Sequence, residues 1–310
     1  MKDLTKGKIS TLILGFAIPV FLGNLLQLTY SLADTRIVGS FLGERSLAAV
    51  GATTTISNLI VGFLLGLANG FAIITAQKFG AGDKKRVRRS FAIALVLGVI
   101  ISAVLMLIGT VFIKPILGFL NVPGKLFIEA KQYILIIIIG LWVTMFYDIL
   151  MAVMRAIGDT LTPLLILAIS VGLNIVLDLL FVAVWKTGTW GAAAATVLAQ
   201  FIALVICCFY MIHKYELLRL NKNDFKNLES KMIKEMLATG MSMGFMSSLV
   251  NIGSLTLQTA INKLGQEIIV AHTAARKITE IYMIMFSVFG QTMATFCGQN
   301  MGARKVDRIK

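Results

Sequence analysis

Acidic residues, cysteine, histidine and proline are all scarce in these 310 residues: 15 Asp and Glu stand against 29 Lys and Arg, with three Cys, two His and four Pro. The two histidines, His213 and His272, lie far apart, and the chain has no His-Glu-x-x-His and no Gly-x-Ser-x-Gly. An intramembrane enzyme of either kind therefore has no motif to stand on. Cys207, Cys208 and Cys297 fall inside apolar runs. Odd in number and so placed, they read as packing residues rather than disulfides or metal ligands. Charged residues are 14% of the chain, 57% is hydrophobic and the mean hydropathy is +0.86. No soluble core hides that much apolar surface, and no stretch shows the strict alternation of a β-barrel strand.

What is present is a series of long apolar runs. Eight approach or exceed the roughly twenty residues that cross a bilayer as a helix. They cover about 10–39, 47–78, 89–114, 126–156, 161–185, 190–213, 235–261 and 267–299, the last two weaker because polar residues interrupt them. The first run is too long for the apolar part of a cleavable signal peptide and lacks a small-residue cleavage site, so it reads as the first span.

The net charge of +14 is not a nucleic-acid footprint, because its distribution follows the spans. Basic residues gather at Lys2, Lys6 and Lys8, at Lys78 to Arg89, at Lys214 to Lys234, and at Arg304 to Lys310. With alternating spans all four groups fall on one side, and the other side holds little beyond Arg45, Lys114, Lys125, Lys186 and Lys263. That bias puts the N terminus and these loops in the cytoplasm.

Residues 42–86 recur without a gap 222 positions later, at 264–308. Leu42-Gly43 matches Leu264-Gly265, Ala49 matches Ala271, and Ile56 matches Ile278. Ala72 matches Ala294, Gln77 matches Gln299, Gly80-Ala81 matches Gly302-Ala303, and Arg86 matches Arg308. Internal duplication in an apolar chain marks a transporter built from repeats. Six spans separate the two starts, an even number, so the copies run parallel about an axis along the membrane normal. The expected divisions are a six-helix bundle over 1–213, a cytoplasmic and partly helical connector over 214–233, and the first two helices of a second bundle over 234–310.

An acid at the bilayer centre costs about 2.5–3.5 kcal/mol on insertion scales, so each one needs a reason. Asp34, Asp148 and Asp178 lie within spans. Tyr30 and Gln27 precede Asp34 by four and seven residues, on one helical face, and Asn174 precedes Asp178 by four. Two spans thus each carry a polar stripe ending in a carboxylate, and facing each other they would enclose one hydrogen-bonded chamber. Two acids there would hold protons as a pair, not as independent groups. For Asp148, Arg155 two turns later offers a partner, and snorkelling or pairing stands beside a titrating role. In the eighth span His272, Arg276, Lys277 and Glu280 share helical spacing, and either line a cleft or anchor at the interface.

The local motifs are specific in combination. Pro19 lies fifteen residues before Asp34, which continues Thr-Arg-Ile-Val-Gly. Arg155-Ala-Ile-Gly-Asp-Thr-Leu-Thr-Pro163 joins the fourth and fifth spans, Asn174-x-x-x-Asp178 lies in the fifth, and Gly191-Ala-Ala-Ala-Ala-Thr196 in the sixth. With these the chain resembles the MATE (multidrug and toxic compound extrusion) transporters of prokaryotes from residue 10 onward. The resemblance implies an all-α polytopic membrane protein of twelve helices in two six-helix lobes. This chain would supply about eight of them, with the second repeat incomplete and the protein C-terminally truncated. It implies efflux of amphipathic or cationic drugs in exchange for H⁺ or Na⁺, with no other cofactor and no metal. The matching cation-coupling positions in the N-lobe are Gln27, Tyr30, Asp34, Tyr133, Asn174, Asp178 and Thr196, with Pro19 as a hinge. A second branch of the family couples through acids in helices 7 and 10, but the seventh span here, Gly240 to Ile261, has none. Asp148 stands where the family commonly has Asn, which leaves it as a possible extra titrating group. The expected partners are a small-molecule substrate and the lipid bilayer of the plasma membrane, not nucleic acid, and the expected state is a monomer. A flippase for lipid-linked saccharide precursors and an inactive transporter fragment are the alternatives.

Overall fold

The computed structural model describes residues 3–120, 122–226, 228–261 and 266–310, and within helices the side chains at 119, 255, 258, 259, 266–271, 273, 274, 276–278, 280 and 281 lie outside the description. Among the described residues every regular element is helical.

The first, α1, runs Ile9–Gly80 over 72 residues. Straight, it would be about 108 Å long, over twice the depth of a bilayer with its headgroups. It is broken at Gly43, whose φ of 81° and ψ of 176° suit a residue without a Cβ. The two ends then meet at one residue. The Leu4 amide donates to Gln299 Oε1 at 2.9 Å, and Gly80 backs onto the Gln299 main chain so closely that a Cβ there would overlap the Gln299 carbonyl. The run is therefore a hairpin of two spans, residues 9–42 and 44–80.

Helix α2 (Lys84–Val111) is started by Asp83, which accepts from the Arg86 amide at 2.9 Å. After the short α3 (Ile113–Phe119), α4 (Phe127–Ile139) and α5 (Leu141–Ala156) form one span bent by 46°. The bend falls at Gly140, where a Cβ would come within 2.5 Å of Val197 Cγ2. Helix α6 (Leu161–Asp178) begins where Asp159 Oδ1 accepts from the Thr162 amide and ends in a π-helical turn, Leu179–Val184. Helix α7 (Thr189–Lys214) completes the first bundle. The connector carries a 3₁₀ turn, Glu216–Leu218, and the short α8 (Lys222–Lys226), as its mixed polarity predicts. Helices α9 (Ser230–Ile261) and α10 (Gln266–Gly302) follow.

By length and apolar composition four described helices can cross a membrane, and the bent α4–α5 pair makes a fifth. One of the four is the folded-back α1, so separating its arms gives six spans. Helices α9 and α10, at 32 and 37 residues, are long enough but more polar, as the interrupted runs predict. The spans alternate in direction. Gln299 links Leu4 and Ala156 at one end, and Arg89 pairs with Glu229 at 2.8 Å there. Arg45 and Ser46 reach Glu129 at the opposite end. All described parts of the four basic clusters share the first of these ends.

The duplication is visible as a reciprocal contact. Gly80 abuts the main chain of Gln299 and Gly302 abuts that of Gln77, the same pair of positions exchanged between copies. Between them, a Cβ on Gly298 would lie 3.2 Å from Ala76 Cβ, its own counterpart, so the local two-fold axis passes there. The second arm of α1 packs on α9 through small residues, with the would-be Cβ of Gly66 2.6 Å from Met243 O and that of Gly70 2.5 Å from Gly240 Cα. The counterpart interface, first arm on α10, is filled instead by Phe16, Ala17 and Val20 against Val288 and Phe296.

Candidate functional site

The first arm of α1, with α5, α6 and α7, encloses a cavity of about 140 Å³, room for several waters. Pro19, Gln27, Tyr30, Asp148, Asn174 and Thr196 all line it, so six of the sequence-selected residues converge from four helices. Tyr30, Asn174 and Thr196 are linked through one hydroxyl. Tyr30 Oη lies 3.2 Å from Thr196 Oγ1, which also accepts from Asn174 Nδ2 at 3.4 Å and can donate to the Ala192 carbonyl at 3.1 Å. Gln27, Tyr30 and Asp34 stand at i, i+3 and i+7 in one continuous helix, and Asn174 and Asp178 at i and i+4 in another.

Behind this polar layer lie the two acids. Asp178 is fully buried at the last turn of α6, where the π-helical turn begins, and Asn174 is 3% exposed. Asp34 Oδ1, both Asp178 carboxylate oxygens and Asn174 Oδ1 are sealed from solvent without a donor. Asp34 and Asp178 are near enough to each other to interact electrostatically. Two ionised carboxylates have no proton to share, so a hydrogen bond between them would require one to be protonated. Tyr133 is partly buried, with its phenol in electrostatic reach of Asp34, Tyr30 and Asp178. All seven expected coupling residues are thus gathered in one region, and Pro19 is buried in the cavity wall one turn and more before them.

Other groups on the wall were not singled out by sequence. Thr144 Oγ1 donates to Gln200 Oε1 at 2.9 Å, and Gln291 contributes from α10. Both lie in runs whose apolar composition gives no reason to prefer them over other polar residues. Asp148 and Arg155 line the cavity and act on each other electrostatically, without an ion pair within 4.0 Å among the described residues. His272 Nε2 is buried without a partner, while Arg276, Lys277 and Glu280 lie outside the described side chains. No group of three or more potential metal ligands occurs among the described residues.

A bundle of hydrophobic spans, duplicated about an axis between its halves and enclosing a polar cavity, has the architecture of a helical membrane transporter built from repeats. A family model described as MatE matches residues 19–180, more than half of the 310 residues, and the chain belongs to that family. It is 28% identical over 307 residues to the probable multidrug resistance protein YpnP of Bacillus subtilis, covering 99% of this chain and 68% of that protein. It is 24% identical over 320 residues to the FAD transporter of Shewanella oneidensis, covering 100% of this chain and 70% of that one. A multidrug resistance MATE transporter solved in an outward-facing conformation superposes with a TM-score of 0.92 at 24% identity, over 99% of this chain and 68% of the other. The chain spans about two thirds of the length of these relatives.

Proposed function

We propose that this chain belongs to a secondary antiporter that exports amphipathic or cationic small molecules across the plasma membrane in exchange for H⁺ or Na⁺. The observation that carries the reading is the acid pair Asp34 and Asp178, with Asp34 Oδ1 and both Asp178 oxygens shut away from solvent, outside the cavity wall that Tyr30, Thr196 and Asn174 help to line. Burial penalises a bare charge far more than a charge neutralised by a bound cation or proton. Occupancy of the pair by H⁺ or Na⁺ is therefore coupled to how tightly these helices close around it. Pro19 removes one backbone hydrogen bond from the first arm of α1, so a change at Asp34 has a place in the same helix where it can bend. The coupling assignment of Gln27, Tyr30, Tyr133, Asn174 and Thr196 rests on the same geometry. The basic end faces the cytoplasm on this reading, following the distribution of Lys and Arg.

Magnitudes bound the work available. One proton crossing about 100 mV releases roughly 2.3 kcal/mol, and one pH unit adds about 1.4 kcal/mol. A neutral substrate is then concentrated several hundredfold, whereas a monovalent cation exchanged one for one gains only about tenfold from the pH term. The test is dye efflux from everted vesicles with wild type and Asp34→Asn at matched expression. Gradient-driven efflux is expected in wild type and lost in the variant, and efflux retained by Asp34→Asn refutes the coupling scheme.

A further inference from the structure

Each half of the duplicated fold is led into its first helix by a short segment, and each segment is held by the other half. Residues 3–8 precede α1, and Arg308, beyond α10, donates from Nη2 to the Gly7 carbonyl at 2.9 Å. Glu229 precedes α9, and its carboxylate lies 3.7 Å from Nε of Arg86, in the first turn of α2, and 2.8 Å from Nη1 of Arg89. Glu229 stands 222 positions after Gly7, and Arg308 stands 222 after Arg86, the offset that relates the repeats. The two clasps are therefore one contact made twice about the local axis. A main-chain carbonyl is the acceptor in one and a carboxylate in the other.

The clasp on residues 3–8 is the more extensive. The Leu4 amide donates to Gln299 Oε1 at 2.9 Å, Asn300 Nδ2 donates to the Leu4 carbonyl at 3.3 Å, and Lys305 Nζ donates to the Thr5 carbonyl at 2.8 Å. Arg308 is itself fixed, since its Nε donates to Asn300 Oδ1 at 3.1 Å. The Leu4 side chain is 1% exposed and packs with Phe16 and Val20 of α1 and with Val288 and Phe296 of α10. All these partners of the Leu4, Thr5 and Gly7 main chain belong to α10 or the residues after it, whereas residues 3–8 are continuous with α1. Parting the two halves at the basic end must either break these bonds together or drag the first arm of α1 away from its own bundle.

We propose that residues 3–8 are a releasable latch, with Lys305 and Arg308 as its catch, that holds the basic end closed and lets go as a unit when that end opens. The clasp of Arg86 and Arg89 on Glu229 is its weaker twin. Exposed ion pairs contribute little and are screened by salt, whereas bonds to uncharged carbonyls are screened far less, so the two clasps respond differently to ionic strength. The latch sets how often the basic end opens and does not depend on which ion or molecule is exchanged.

The test reads distances between spin labels in lipid nanodiscs, with no gradient and no substrate. Lys85 and Arg304 span the two halves, while Lys6 and Arg304 report whether the segment stays on its catch, and all three residues are exposed. Arg308→Ala is expected to raise the open-to-closed ratio about three- to tenfold, as loss of one hydrogen bond predicts, and to lengthen both distances together. Closed molecules that keep the wild-type distance report an intact fold. Raising salt from about 0.1 to 1 M shortens the screening length from about 10 to 3 Å, which is expected to open wild type further and Glu229→Gln less so. Lengthening of Lys85–Arg304 alone, with Lys6–Arg304 unchanged, overturns the latch, because the segment then travels with the second half. So does an unchanged ratio in Arg308→Ala, or a salt response undiminished in Glu229→Gln. A working latch in a protein without gradient-driven efflux overturns the antiport reading and leaves the latch standing.

Discussion

Adding one methyl group at the two-fold contact between the repeats gives a sharp test of how the basic end is held shut. Gly80 and Gly302 each lie against the main chain of the other copy's glutamine, Gln299 and Gln77, well inside the space a Cβ needs. Because the obstructing atoms are backbone, no rotamer change relieves the clash, and the helices must part by on the order of 1 Å. Overpacking of this kind costs about 1–3 kcal/mol, equivalent to about a 5- to 150-fold shift from the closed toward the open arrangement of this end. Gly80→Ala and Gly302→Ala are expected to be equal in effect, since their surroundings are related by the axis. The double variant is expected to fall short of the sum, because the first methyl has already separated the surface that the second would strike. Spin labels on Lys85 and Arg304, both exposed at this end, read the separation as a distance distribution in lipid nanodiscs. Each single variant should move population to longer distance and lower the melting temperature. Unchanged distances and melting in both variants, or an effect confined to one of them, would refute the symmetric closure.

Much of this arrangement was legible because the repeat is ungapped and the polar stripes keep helical spacing. Gly80 and Gly302 are among the recurring residues, and the structure shows why: each lies against the main chain of the other copy where a Cβ would clash, while Gln299 adds side-chain bonds to the Leu4 amide and the Ala156 carbonyl. Gln27, Tyr30 and Asp34 could be placed on one face because spacings of four and seven residues survive any change in neighbouring helices. What the sequence left open depends on atoms from elsewhere in the chain. The fourth apolar run reads as one continuous span, and only the Val197 side chain packed against Gly140 shows why it bends. The π-helical turn after Asp178 has no Pro or Gly to announce it, since Leu179–Val184 reads as ordinary apolar helix. Asp148 and Arg155 were legible as neighbours on one face, but that they stay apart is a matter of side-chain direction, which spacing does not set. Asp34, Asp148 and Asp178 lie in the first bundle, and among the described residues of α10 Gln291 reaches the cavity.

Gln299→Ala removes two buried bonds at once, from the Leu4 amide and to the Ala156 carbonyl, and should cost about 1–3 kcal/mol for the groups left unpaired, measured by thermal melting. Truncating Lys305 and Arg308 to Ala, whose side chains hold the Thr5 and Gly7 carbonyls, should free residues 3–8 for limited proteolysis while the bundle melts at nearly the same temperature. The last prediction concerns acid stability outside the spans, at Asp159 between α5 and α6. Burial by itself pushes its carboxyl up. That is outweighed by the hydroxyl of Tyr215, the amide and hydroxyl of Thr162, and the Lys214 ammonium at 3.7 Å, which together hold it below the usual carboxylate value. A group depressed in the folded state adds stability that is full above its unfolded value, near 3.9, and is lost as pH falls through the lower folded value. Wild type should therefore lose stability on acidification below about pH 4. Asp159→Asn should start out less stable at neutral pH by about 1–3 kcal/mol and show a shallower fall. Tyr215→Phe removes one of the bonds that lower the carboxyl and should move the acid transition upward in pH. Identical pH–melting curves for wild type and Asp159→Asn would mean that this buried cluster fastens nothing, and that the α5–α6 corner is held by apolar packing alone.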